Sequence, residues 1–110
     1  MNTKFYTEIE SEMRILFSKI IPHLKYRNYD IYCSLKELAE NREITIKSEK
    51  DLRMWIGKFR QMFYAVLSDL PPLVQKDVKF LHSVLIDYLL NYKLPDWQKH
   101  GDYWTSIKKD

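Results

Sequence analysis

The sequence predicts an all-α fold: one compact bundle of four to five helices, residues 1–110 forming a single domain around a central antiparallel helical hairpin. Two observations carry this. Residues 48–70 and 73–92 repeat apolar side chains at helical spacing on either side of Pro71-Pro72. The 110 residues include only 2 Gly and 4 Pro, too few for a loop-rich or all-β chain. A hydrophobic content of 45% with 15% aromatic residues argues against disorder, and the length suffices for a core without staples.

The first helix is predicted over residues 4–21, with Phe5, Ile9, Met13, Leu16 and Ile20 on one stripe. Thr7 and Glu10 have capping-box spacing, which would start the regular helix later than Thr3. Pro22 ends it, because the ring restricts the residue before it and removes a donor. The second helix runs from Tyr29 or Asp30 to Asn41, with Ile31, Leu35 and Leu38 inward. Asn28 or Asp30 caps its start, and Asn41 suits a left-handed terminator. Ile44-Thr45-Ile46 is read as an extended linker.

Ser48 caps the third helix, with Asp51 at the third helical position. Its core stripe is read as Leu52, Trp55, Ile56, Phe59, Met62, Phe63, Val66, Leu67 and Leu70. Pro72 is placed to open the fourth helix, whose first turn tolerates a missing N–H. That helix presents Val74, Val78, Leu81, Leu85, Tyr88, Leu89 and Tyr92 until Leu94-Pro95-Asp96 breaks it. The remainder, 95–110, is an aromatic tail with room for a short helix.

Charge and cysteine usage bound the function. A net charge of +3 permits a nucleic-acid partner without demanding one. The single cysteine, Cys33, excludes an internal disulfide framework and reads as structural. No apolar run is long enough to span a membrane. Glu8, Glu10 and Glu12 occupy the stretch where a secretory signal would be apolar, so a cytoplasmic location is expected. With glycine only at positions 57 and 101, no phosphate-binding loop exists.

No catalytic residue, metal ligand, cofactor or small-molecule substrate is evident. His23, His82 and His100 do not converge by spacing, and His82 is expected to be a satisfied core histidine. A hydrolase using His82 would need a carboxylate from another helix. The carboxylate pairs Glu8/Glu12 and Glu37/Glu40 fall on what read as solvent faces. The expectation is therefore a non-enzymatic cytoplasmic binding protein, with function argued from its surfaces.

Three surfaces stand out. On the fourth helix Leu73, Phe80 and Val84 form a second apolar stripe, about 100° from the core centre. With Trp97 and Trp104 of the tail they are the candidate anchors for a protein partner or homodimer, and protein–protein contact is the function expected first: an inhibitor, immunity-type protein or assembly subunit. On the third helix Lys50, Arg53, Arg60 and Tyr64 share a face with Gly57, which permits close backbone approach. They are the candidates for the alternative, a nucleic-acid-binding module; the plainer reading of that face is a solvated one. His23, Lys25, Tyr26, Arg27, Tyr29 and Tyr32 form a second cluster, read as a loop pinned by half-buried tyrosines or as a stacking surface for single strands.

Residues 34–40 and 48–56, joined by a turn, resemble a helix-turn-helix, with Ala39 at the helix contact and Ile44 in the turn. The resemblance implies that Lys50, Arg53 and Met54 begin a recognition helix. The turn is longer than that motif uses, and Glu43 stands where a glycine is favoured. The stretch from Leu35 to Tyr92 also resembles the helical small subunits of type III CRISPR effectors, through Thr45, Ser48, Leu52-Arg53 and Tyr88 or Tyr92. That likeness implies Arg53 and Arg60 facing a nucleic-acid backbone.

Overall fold

The computed structural model describes residues 3–91, and these are all-helical. The helices are α1 (Thr3–Ile20), α2 (Tyr29–Glu40), α3 (Glu49–Val66) and α4 (Pro72–Asn91). Short 3-10 turns follow α1 (Ile21–His23) and α3 (Leu67–Asp69). The predicted breaker Leu94-Pro95-Asp96, the aromatic tail and Tyr92 lie outside the described residues.

Most boundaries follow local chemistry. Pro22 sits at the start of the first 3-10 turn, where its missing N–H costs no helical bond. The Asn28 side chain caps α2 by accepting from the Ile31 N–H at 3.2 Å. Ser48 caps α3 in the same way, its Oγ accepting from the Asp51 N–H at 3.3 Å. Asp51 reaches back to the Lys47 N–H at 3.0 Å, completing a reciprocal cap one residue off the usual register. Pro72 opens α4 as expected.

Two local expectations are corrected. The helix α1 begins at Thr3, not after Thr7, and Glu10 serves another purpose: its Oε1 accepts from the Ile46 N–H at 2.7 Å. Asn41 ends α2 in an extended conformation, φ −83° and ψ 101°, rather than a left-handed one. Its side chain accepts from the Glu43 N–H at 3.0 Å instead, a local turn that frees Asn41 from the need for a positive φ.

The buried side chains of all four helices form one core, with Trp55, Tyr88, Phe17, Phe59, Ile9 and Met13 fully enclosed. Full burial of each large apolar side chain contributes about 1.5–3 kcal/mol. Phe5 stacks on Tyr88 at 4.4 Å, joining α1 to α4, and Phe17 lies 6.4 Å from both Trp55 and Phe59, joining α1 to α3. Leu35, Leu38 and Ala39 bring in α2.

The linker from Asn41 to Ser48 has no regular hydrogen bonding of its own, so its backbone needs partners. Arg14 supplies them. Its guanidinium donates to the carbonyls of Leu38, Asn41 and Ile44 and pairs with Glu10, Nε to Oε2, at 3.4 Å. Glu10 in turn holds the Ile46 N–H. One ion pair on α1 thus fixes the end of α2 and the entry to α3. Glu49, at the first position of α3, then accepts from the hydroxyls of Tyr6 (3.1 Å) and Tyr88 (3.3 Å). Glu12 and Arg14 are buried, contrary to the solvent face expected around Glu8 and Glu12. Arg14 can be covered because the linker folds over its side of α1, an arrangement that periodicity does not report.

Candidate functional site

All of the basic-stripe residues are presented to solvent. Lys50, Arg53, Gly57, Arg60 and Tyr64 are exposed along the outer face of α3, the Tyr64 ring at 68%. From Lys50 to Tyr64 the face runs about 20 Å at the α-helical rise. Glu49 and Asp51 are the only carboxylates of α3, and from Leu52 to Ser68 the chain contains none. Arg53 pairs with Glu49, Nη2 to Oε1, at 3.5 Å, an exposed contact that water screens and that leaves the guanidinium reachable. The Arg60 guanidinium stands over the Tyr64 ring at 5.9 Å. Lys58 is half-buried in a cleft shared with Met54 and with Ser34, Glu37 and Leu38 of α2.

On the α4 side this face ends in an aromatic cluster. His82 stacks on Phe63 at 4.2 Å and 15°, and Tyr64 meets the Phe63 ring edge-on at 5.2 Å. His82 was expected to be a satisfied core histidine; it is half-buried, with its Nε2 enclosed and without a hydrogen-bond partner. Burial, with the Arg60 charge adding to it, lowers its pKa. No carboxylate pairs with His82 among the described residues.

The apolar-stripe candidates separate. Val84 is 5% exposed and belongs to the core, and Phe80 is half-buried against it, whereas Leu73 is 61% exposed. Trp97 and Trp104 lie outside the described residues. Val84 shares a face of the helix with Asp77, two turns away, and both are buried. Asp77 Oδ2 has no hydrogen-bond partner, and desolvation raises its pKa to about 6 against a smaller opposing effect of Lys76. The run Val74, Asp77, Val78, Leu81, Val84 at helical spacing was the signal that Asp77 would be covered.

The second cluster is more open than a pinned loop. Tyr26 is 90% and Tyr29 64% exposed, and only Tyr32 is half-buried. Lys25 stands 5.5 Å from the Tyr26 ring centre and Lys36 5.7 Å from that of Tyr32, while Tyr29 and Tyr32 stack at 5.6 Å. Arg27 pairs with Asp69 at 3.4 Å, bringing this loop to the turn that follows α3. Cys33, expected to be structural, is exposed, and a hydrogen bond with it raises the pKa of Tyr29.

Among the described residues no group of three His, Cys, Asp or Glu side chains gathers as a metal site, and no helix is long and apolar enough to cross a membrane. Compared with known proteins, the chain matches no protein-family model, no curated protein and no solved structure.

Proposed function

We propose that this chain is a non-catalytic binding protein whose contact surface is the outer face of α3, and that its partner is nucleic acid. One observation carries the reading: Lys50, Arg53 and Arg60 stand exposed together, with Tyr64, on a helix face whose one carboxylate is Glu49 at its first turn, paired with Arg53 in a solvent-screened contact, and no carboxylate follows from Leu52 to Ser68. Phosphate contacts need cations that can shed water and counterions together, and a neighbouring carboxylate would oppose that. In this reading α3 and α4 form the antiparallel hairpin around Pro71-Pro72, with the cationic side of α3 turned outward. Gly57, in the middle of the face, lets a backbone come close. The resemblances to a helix-turn-helix and to CRISPR small subunits point to the same residues.

Binding to DNA or RNA at low salt should weaken steeply as salt is added. The double variant Arg53→Ala/Arg60→Ala should reduce the slope of log affinity against log salt by about 1.4–1.8, for two phosphate contacts. Absence of measurable binding to either nucleic acid at low salt would sink the proposal.

A second reading, docking of a protein or of a second copy on α4, rests on Leu73, the one described anchor that is largely exposed. It predicts a concentration-dependent mass in sedimentation that Leu73→Asp abolishes. An unchanged monomeric mass in both proteins rules out the self-association form of it.

A further inference from the structure

We infer that the nucleic acid taken up by this protein is single-stranded, held by stacking of its bases on tyrosine rings as well as by charge. The inference rests on the α3 reading above and adds the class of ligand. A cation stands over a tyrosine ring three times on this surface: Arg60 over Tyr64, Lys25 over Tyr26 and Lys36 over Tyr32. The two pairs with exposed rings, at Tyr64 and Tyr26, each offer a flat π face for a base and a charge for the phosphate beside it, and at Tyr32 the exposed ring is that of its stacking partner Tyr29. A scattered exposed aromatic needs no explanation, but Tyr26, Tyr29 and Tyr64 are each more than half exposed and each lies beside or next to such a pair.

The pairs are linked in space. The ion pair between Arg27 and Asp69 joins the loop that carries Tyr26 to the turn that follows α3, the helix that carries Tyr64. It also sets a cation beside Asp69, the carboxylate of that turn. From Tyr26 the surface continues into an open cleft lined by Lys25, Tyr29, Tyr32 and Lys36. Glu37 and Glu40 also line that cleft, Glu40 close enough to act on the Lys36 charge. In this proposal the strand runs from the α3 cations and Tyr64 to Tyr26 and the Tyr29/Tyr32 stack.

A duplex does not use such a path. Its bases are stacked on one another and turn only their edges to the grooves, so their π faces cannot reach a tyrosine. Unpaired bases can, and stacking tolerates any sequence because every base has a π face. DNA and RNA single strands share this chemistry.

The test is fluorescence anisotropy with an oligothymidylate and an oligouridylate of about 15 nucleotides, and with a duplex of the same length, at one salt concentration. Single strands of one or both kinds should bind at least about tenfold tighter than the duplex. Tyr64→Ala and the pair Tyr26→Ala/Tyr29→Ala should each weaken single-strand binding by about 5- to 100-fold and leave duplex binding unchanged. Tyr64→Phe, which keeps the ring, should bind like the unaltered protein. Circular dichroism should show all these variants folded, since the rings are exposed. Equal binding of strand and duplex, with no effect of the tyrosine variants, overturns the stacking inference while the α3 reading stands, provided Arg53→Ala/Arg60→Ala still flattens the salt dependence. No binding of any of the three probes overturns both.

Discussion

The Arg14 guanidinium lies 5.0 Å from the centre of the Trp55 ring, with both side chains buried. A buried cation is costly unless it is paired and hydrogen-bonded. Here the Glu10 carboxylate, three carbonyls and the indole face share its charge. The same contacts hold the α2–α3 linker, so the orientation of the outer face of α3 depends on this residue.

Arg14→Ala should cost about 3–5 kcal/mol, because it leaves Glu10 unpaired and the linker carbonyls without donors. Arg14→Lys should recover only part of that, since one ammonium cannot match the planar fork that reaches three carbonyls. Urea unfolding would show this as a lower midpoint with an unchanged slope. A loss below about 1 kcal/mol would mean that water replaces the guanidinium easily.

The helices were legible because their apolar residues repeat at 3.6-residue spacing, and Asn28, Ser48 and Pro72 mark their starts. Arg14 was not legible. Its partners are carbonyls 24 to 30 residues away, and backbone acceptors leave no trace in side-chain pattern. Asn41 shows the same limit: its residue type favours a left-handed end, but the tethered linker draws the chain out extended. For the candidate site, helical spacing placed Lys50, Arg53, Arg60 and Tyr64 on one face, and each of them is exposed. Periodicity could not show that Val84 is covered or that Tyr26 is bare, because both depend on how helices and loops meet.

Asp77 makes stability depend on pH. Its folded pKa of about 6 lies above the ordinary 3.8, so between those values the folded state binds more protons than the unfolded. Its contribution is therefore fully present below about pH 4 and is lost as pH rises to about 6, by about 3 kcal/mol. Asp77→Asn should remove this decline. Melting temperatures of the two proteins at pH 4, 5, 6 and 7 should diverge in favour of the variant as pH rises, about pH 6 being where the gap levels off. A constant gap over that range contradicts the assignment.

Tyr6 gives a second, alkaline signature. Burial first, then hydrogen bonds with Tyr88 and Glu49, push its phenol up to about 12. The neutral phenol is thus favoured in the fold, and its stabilisation is lost as pH rises from about 10 to about 12. Glu49→Ala should bring the phenol back toward 10 and destabilise the protein by about 1–3 kcal/mol, since two tyrosine hydroxyls lose their acceptor. Ultraviolet titration of the phenols would show one tyrosine ionising earlier in the variant. An identical titration curve would place the shift in burial and the Tyr88 contact.

Gly57 tests whether the outer face of α3 is kept for a ligand. It lies inside the helix, exposed, and a Cβ added there would meet nothing within 4 Å. Glycine in a helix interior costs about 0.5–1 kcal/mol relative to alanine, so Gly57→Ala should stabilise the protein by that amount. A chain with no use for this face gives up that stability for nothing. A chain whose phosphate-bearing ligand comes against the α3 backbone needs the missing methyl. Gly57→Ala should then raise the melting temperature by several degrees and weaken nucleic-acid binding, without changing the number of counterions released. The two readouts separate the explanations: higher stability with unchanged binding makes Gly57 incidental, whereas higher stability with weaker binding at an unchanged salt slope places the ligand against this turn of α3.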